Sequence, residues 1–316
     1  MTRKQIIAVV GATGAQGGGL TRAILADRSG AFAVRALTRH AGSDKARALS
    51  AAGAEVVVAD LDEEASVQAA LRGAYGAFFV TNFWEHFAPQ REKAQAAAMA
   101  RAAQAAGLKH VIWSTLEDSR RFIPLSDPRM PTLMHEYKVP HFDAKAESDR
   151  YFAEAGLPTT FLLTSFYWEN LIYFGMGPKA GASGELVWSM PLGSARFPGI
   201  GVEDIGRCAY GVFKRGQDLV GKYVGIAGEQ LTGTEMAARL STSLARPVRY
   251  DAISPAQYRA LGFPGADDLG NMFRFNVEFA DAFCGARDVT AARVLNPALQ
   301  TFSQWLEANK DRIPLA

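Results

Sequence analysis

Short apolar runs alternate with amphipathic stretches through the first half of the chain, and this alternation predicts its architecture. Residues 5–10 form an apolar, β-branched run of the kind buried on both faces of a parallel sheet. Leu20, Ala23, Ile24 and Leu25 then recur at helical spacing. Residues 32–38 read as a second strand, 46–52 as a short helix, and 55–59 (with Val56, Val57 and Val58) as a third strand. A stretch with early acids and helical apolar spacing fills 62–71, and 77–80 is a fourth strand. Residues 89–106 are Ala-rich, open on Pro89 and stop at Gly107, which predicts a helix. Residues 110–113 form a fifth strand, 141–155 a helix stopped by Gly156, and 159–163 a sixth strand. Strands alternating with helices mean a parallel sheet wound by right-handed crossovers.

The rhythm breaks twice. Residues 120–140 hold Pro124, Pro128, Pro131 and Pro140 with no period, and so long a loop in a compact domain is functional or disordered. Beyond the sixth strand the texture turns Gly-rich and aromatic up to about residue 196. Helical pattern returns at 231–245, with Thr232 or Thr234 as cap, and at 255–261 and 304–310.

Composition narrows the function classes. Of 316 residues, 48% are hydrophobic and 21% charged, which is ordinary globular usage. A net charge of +2 with no basic block argues against a nucleic-acid binder. No apolar run approaches the roughly 18 residues of a membrane span. The first run stops at Gly11, too short for a signal-peptide core. Cys208 and Cys284 stand in no metal spacing and read as buried thiols of a reducing compartment. A cytoplasmic protein without metal or membrane contact is the expectation.

The chemistry is concentrated where strands end. Gly11-Ala12-Thr13-Gly14-Ala15-Gln16-Gly17 joins the first strand to the first helix, a turn in which a pyrophosphate can approach bare N–H groups and the positive helix end. Gly17, Gly18 and Gly19 are unfavourable in a helix, by about 1 kcal/mol each relative to Ala, so something must approach that helix very closely. The second strand ends at Thr38-Arg39, where an NAD site carries an acid for the ribose 2′-hydroxyl. A hydroxyl and a guanidinium fork suit a 2′-phosphate instead, which points to NADP(H). In an open parallel sheet ligands lie beyond the carboxyl ends of the strands. Asp60, Leu61, Thr81, Asn82, Phe83, Ser114 and Thr115 occupy such ends, and Leu61 and Asp60 suit an adenine. These signals give the expected fold class, α/β with a Rossmann-type doubly wound parallel sheet and a smaller C-terminal α/β lobe. The nucleotide domain would cover 1–165, with a segment returning near 198–227, and the small lobe 166–316.

Lys145 is the most consequential polar residue of the next helix. A tyrosine four residues before it would complete the acid/base pair of a short-chain dehydrogenase, and His141 stands there instead. His141 reads as a helix-start residue bonded locally, and it is not expected to copy that tyrosine as proton donor, since the helix dipole disfavours a cation at that end. After the sixth strand, Phe166, Tyr167, Trp168, Glu169 and Asn170 are placed to wall a nicotinamide pocket, as are Phe83 and Trp84.

Together these motifs resemble the NmrA-like family of atypical short-chain dehydrogenases. The resemblance runs through residues 10–18, Thr81-Asn82-Phe83-Trp84-Glu85, His141-Phe142-Asp143-Ala144-Lys145 and Trp168-Glu169-Asn170, and it continues late in the chain at 261–266 and 271–275. It implies a cofactor held between the Rossmann domain and the small lobe. Phosphate contacts would come from Gly11, Ala12, Thr13, Gly14, Ala15 and Gln16 around Gly17, the 2′-phosphate contact from Arg39, and adenine contacts from Asp60 and Leu61. The nicotinamide side would fall to Thr81, Asn82, Phe83, Lys145, Tyr167, Trp168, Glu169 and Asn170. A lysine that the family carries after the fourth strand has Lys93 as its nearest candidate. The branch it resembles implies an NADP(H)-binding redox sensor without the Tyr-x-x-x-Lys pair, acting through a regulatory protein partner and as a homodimer. The alternative is a reductase of the isoflavone-reductase-like type in which Lys145 serves as acid or base.

Overall fold

In the computed structural model, which describes residues 4–181 and 184–315, seven strands form one sheet. They are β1 (Gln5–Val9), β2 (Phe32–Thr38), β3 (Glu55–Val58), β4 (Gly76–Phe79), β5 (His110–Thr115), β6 (Thr159–Leu163) and β7 (Tyr223–Gly225). Their order is β7-β6-β5-β4-β1-β2-β3, and every neighbouring pair is parallel. The chain winds outward from β1 to β3 and then returns to β1's other side with β4. That reversal opens a crevice beyond the carboxyl ends of β1 and β4. The fold is therefore the expected Rossmann-type, doubly wound α/β architecture.

Helices cover both faces. On one side α1 (Ala15–Ala26), α2 (Asp44–Ala51) and a helix at Val202–Arg215 close a core around Ile7, Val9, Phe78 and Ile112. On the other, helices at Glu64–Leu71, Pro89–Ala106 and Pro140–Glu154 close a core around Ala8, Phe79, Val111 and Trp113. These last four helices are called α6, α3, α4 and α5 respectively.

The glycine run at the head of α1 has a packing cause. A Cβ on Gly17 would lie 2.5 Å from the carbonyl oxygens of Gly11 and Val10, so the helix is seated directly on its own turn. One on Gly19 would lie 2.7 Å from the Val202 carbonyl oxygen and 3.3 Å from Gly206 Cα. What comes very close at Gly19 is helix α6. The same contact hides α6 from the sequence, because Gly206 and Gly211 interrupt its helical pattern. A Cβ on Gly211 would stand 2.2 Å from the Leu295 carbonyl oxygen.

The C-terminal part adds two three-stranded sheets and several short helices. They enclose another core that contains Trp168, Trp188, Phe273 and Trp305. The Pro-rich segment joins this core through Ile123, Met130 and Val139. Lys138, fully buried, donates from Nζ to the carbonyl oxygens of Asp127 (2.9 Å) and Met130 (2.5 Å). The segment is packed structure and not a free loop. Helix Gly233–Leu244 is capped by Thr232, whose Oγ1 accepts from the Glu235 N–H while Glu235 accepts from Thr232. No helix among the described residues is long and apolar enough to cross a membrane.

Candidate functional site

A cleft of about 830 Å³ lies over the carboxyl ends of the strands, between the sheet and the C-terminal part. Its floor is the glycine turn. Gly11 adopts φ +65°, a left-handed conformation that favours glycine. Helix α1 then opens on Gly14, with no side-chain cap and no acid in its first turn. At α2, by contrast, Ser43 Oγ accepts from the Ala46 N–H at 3.2 Å. The bare first turn of α1 therefore leaves donors and the positive dipole end facing the cleft. Gly11, Thr13, Gly14, Ala15, Gln16 and Gly17 line it. Ala12 does not: its side chain is buried in the sheet core, which leaves only backbone to offer. The bare turn and its missing Cβ atoms fit a dinucleotide pyrophosphate.

Arg39, Asp60 and Leu61 line one end of the cleft. Arg39 is held there by a residue that the sequence reading did not single out as a partner. Its guanidinium makes a two-pronged ion pair with Glu85, with Nη2 to Oε2 at 3.0 Å. The hydrogen bonds raise the guanidinium's pKa and hold the Glu85 carboxyl below its ordinary value.

Thr81, Asn82, Phe83 and Lys145 meet at the middle of the cleft. Lys145 is not a free amine. Its Nζ donates to Thr81 Oγ1 at 2.7 Å and pairs with Glu92 Oε1 at 2.8 Å, above the Trp113 ring. Glu92 is fully buried in the first turn of α4. Lys93 faces elsewhere, donating to Glu147 at 2.7 Å and Tyr137 at 3.1 Å, and does not line the cleft.

His141 departs from the sequence reading. Its partner is not local. Nδ1 lies 2.6 Å from Oδ1 of Asp268, and its backbone N–H donates to Oδ2 of the same carboxylate at 3.2 Å. Asp268 sits in the first turn of α7 (Ala266–Glu278), 127 residues along the chain. Both side chains are buried, and the imidazole packs 4.7 Å from the Trp84 ring, centroid to centroid.

Of the aromatic group after β6, Phe166, Tyr167 and Asn170 line the cleft. Tyr167 Oη accepts from Gln16 Nε2 at 2.6 Å, and burial pushes the phenol up. It therefore does not replace the missing tyrosine. Trp168 and Glu169 turn the other way. Trp168 fills the C-terminal core against Phe302 and Trp305, in space left by Gly199, where a Cβ would be 2.3 Å from its Nε1. Glu169 accepts from the Val202 N–H at 3.0 Å and Trp305 Nε1 at 2.8 Å, and burial raises its carboxyl.

The same cleft also carries an apolar lining that the sequence reading did not foresee. Phe142, Phe174, Met176, Phe197, Met272 and Phe283 form it. Ser165 and Asn276, also on the cleft wall, each carry a buried oxygen without a hydrogen-bond partner.

Three comparisons bear on this arrangement. The oxidoreductase FrzB of a Cladobotryum species, described as having an NmrA-like family domain, is 29% identical over 293 residues, 85% of this chain and 83% of its own. The NAD(P)H azoreductase of Xenophilus azovorans is 28% identical over 310 residues, covering 96% of this chain and 98% of the azoreductase. The crystal structure of NmrA, a negative transcriptional regulator, superposes with a TM-score of 0.79 at 24% identity, covering 96% of this chain and 95% of NmrA. NmrA has also been crystallised with NAD and with NADP. The NmrA-like family profile matches residues 3–306, nearly the whole length, and the chain belongs to the NmrA-like family.

Proposed function

We propose that this protein is an NADP(H)-dependent reductase of flat aromatic acceptors, the enzymatic one of the two expectations. The observation that carries the reading is the run of apolar residues, Phe142, Phe174, Met176, Phe197, Met272 and Phe283, lining the same cleft as the glycine turn, Lys145 and His141. The relatives named as oxidoreductases, above all the azoreductase matched end to end, support the same reading.

In this reading the turn from Gly11 to Gly17 holds the pyrophosphate, Arg39 the 2′-phosphate, Asp60 and Leu61 the adenine, and Lys145 the ribose hydroxyls. NADPH, when bound, supplies a hydride. The aromatic walls exclude water and stack a planar acceptor, while Ser165 and Asn276 offer it polar contacts. Glu92 and Thr81 fix the Lys145 ammonium, which suits it to clamping and not to proton abstraction. The test is a screen of NADPH oxidation against menadione, methyl red and benzaldehyde. Turnover with the first two is expected, and none with any acceptor would refute the reading.

Nucleotide choice gives a second expected result. A charge-assisted contact to the 2′-phosphate contributes about 1.5–3 kcal/mol, or roughly tenfold to a hundredfold in affinity. Calorimetry should therefore show NADPH bound more tightly than NADH, and Arg39→Ala should erase the difference. Because Glu85 occupies the guanidinium, Glu85→Gln should tighten NADPH binding further. The partly exposed pair limits that gain to about 1 kcal/mol, or roughly fivefold. Equal affinity of the unaltered protein for both nucleotides would contradict the assignment of Arg39.

A further inference from the structure

We propose that His141 is the proton donor of this reduction and that Asp268 is the residue that positions it. The proposal rests on the reductase reading above and adds what the chain must supply besides the nucleotide.

Reducing a conjugated acceptor by two electrons requires a proton as well as a hydride, and the candidates in the cleft are few. Lys145 is tied to Glu92 and Thr81. The Tyr167 phenol is held by Gln16 and made less acidic by burial. His86 also lines the cleft, but its Nδ1 accepts from the Ala88 N–H and burial lowers its basicity, whereas His141 combines a place on the cleft wall with a ring fixed by a carboxylate. The carboxylate of Asp268 takes the Nδ1 proton's hydrogen bond at 2.6 Å, which fixes the ring and its tautomer. In the protonated ring Nε2 carries the other proton. It has no hydrogen-bond partner among the described residues and is not among the atoms sealed from the cleft. Asp268 also accepts from the His141 backbone N–H, so the same carboxylate holds both the ring and the first turn of α5. The ring packs against Trp84 and Phe83, so its plane is set by packing as well as by the carboxylate. His141 and Lys145 lie one turn apart on the same face of α5. The clamp and the acid are thus presented side by side.

The step balances as follows. The hydride supplied by NADPH goes to one end of the conjugated acceptor. The N–H bond at His141 Nε2 breaks, and its proton goes to the heteroatom at the other end. The acceptor gains two electrons and two protons overall, for instance from quinone to hydroquinone. A neutral imidazole with Nδ1–H still on Asp268 would remain, and a proton taken up from bulk solvent would restore Nε2–H.

The experiment uses the full chain with NADPH and menadione. His141→Gln should lower kcat by at least about a hundredfold while NADPH affinity, read by calorimetry, stays within about twofold. Added imidazole should restore part of the rate in His141→Ala. Asp268→Asn should lower kcat, and in ¹⁵N NMR of the nucleotide-free protein it should remove the fixed Nδ1–H state of His141, a change that a merely structural role would not produce. A His141→Gln protein that turns over menadione within about threefold of the unaltered rate would overturn the proposal alone. So would an NMR spectrum of the unaltered protein in which Nδ1 carries no proton. No turnover with any acceptor in the unaltered protein would overturn the reductase reading, and this proposal with it.

Discussion

Gly206→Ala is expected to cost about 3 kcal/mol of stability, the upper end for overpacking, although it adds a single methyl group to a helix. A Cβ at this position would stand 2.0 Å from the Gly19 carbonyl carbon and 2.1 Å from the Leu20 nitrogen. Both neighbours are backbone, so no rotamer change relieves the clash. Helices α1 and α6 would have to separate, opening the core that contains Leu20, Ile205 and Ala209. Because α1 also carries the glycine turn, NADPH binding should fall with stability. Gly285→Ala is the control. It lies at the end of a helix with nothing within 4 Å of its added Cβ, and it should be neutral or gain up to about 1 kcal/mol. Urea unfolding of both variants checks the pair. A loss below about 0.5 kcal/mol for Gly206→Ala, within the range of an ordinary surface substitution, would mean that the helices do not meet so closely.

Lys145→Met is expected to destabilise by about 3–5 kcal/mol, independently of any loss of function. The substitution removes the ammonium partner of the fully buried Glu92 carboxylate, which keeps the Thr81 hydroxyl on Oε1 and has no hydrogen-bond partner on Oε2. His86 is no replacement, since its ring lies 3.7 Å from Glu92 and burial lowers its own basicity. Adding Glu92→Gln should recover most of the loss, because the neutral amide costs far less to bury than an unpaired charge. The double variant then isolates the role of Lys145 toward the cofactor. Weak NADPH binding in a protein restored to near-normal stability supports the clamp. Thermal and urea unfolding of the two singles and the double give the coupling energy directly. A single Lys145→Met as stable as the unaltered protein would show that the buried pair is not charged as drawn.

The parts of the fold legible in the sequence are those set by local pattern. Six strands are continuous apolar runs bounded by glycine, proline or polar residues, and each was readable alone. The seventh was not, because Tyr223–Gly225 is three residues long with an exposed tyrosine. Helix α6 was missed because the glycines that break its pattern are the positions at which other backbone approaches. The same division holds in the cleft. The glycine turn and the strand-end residues are contiguous motifs and fell where expected along the lining. Glu85, Glu92 and Asp268 are isolated acids in the sequence, and only the fold brings them to Arg39, Lys145 and His141. Glu85 lies 46 residues from Arg39 and Asp268 lies 127 from His141, so no spacing rule could pair them. The outward turn of Trp168 and Glu169 was likewise invisible, since it is dictated by the room left at Gly199.

Hydride transfer in this cleft, as opposed to mere holding of the nucleotide, is tested by anaerobic rapid mixing of the NADPH complex with menadione, with NADPH carrying deuterium at the transferred position in a parallel run. A single turnover is expected in which the nicotinamide absorbance is lost in step with quinone reduction, and is lost more slowly with the deuterated cofactor. NADPH that binds fully yet keeps its absorbance in the presence of menadione and methyl red would contradict it.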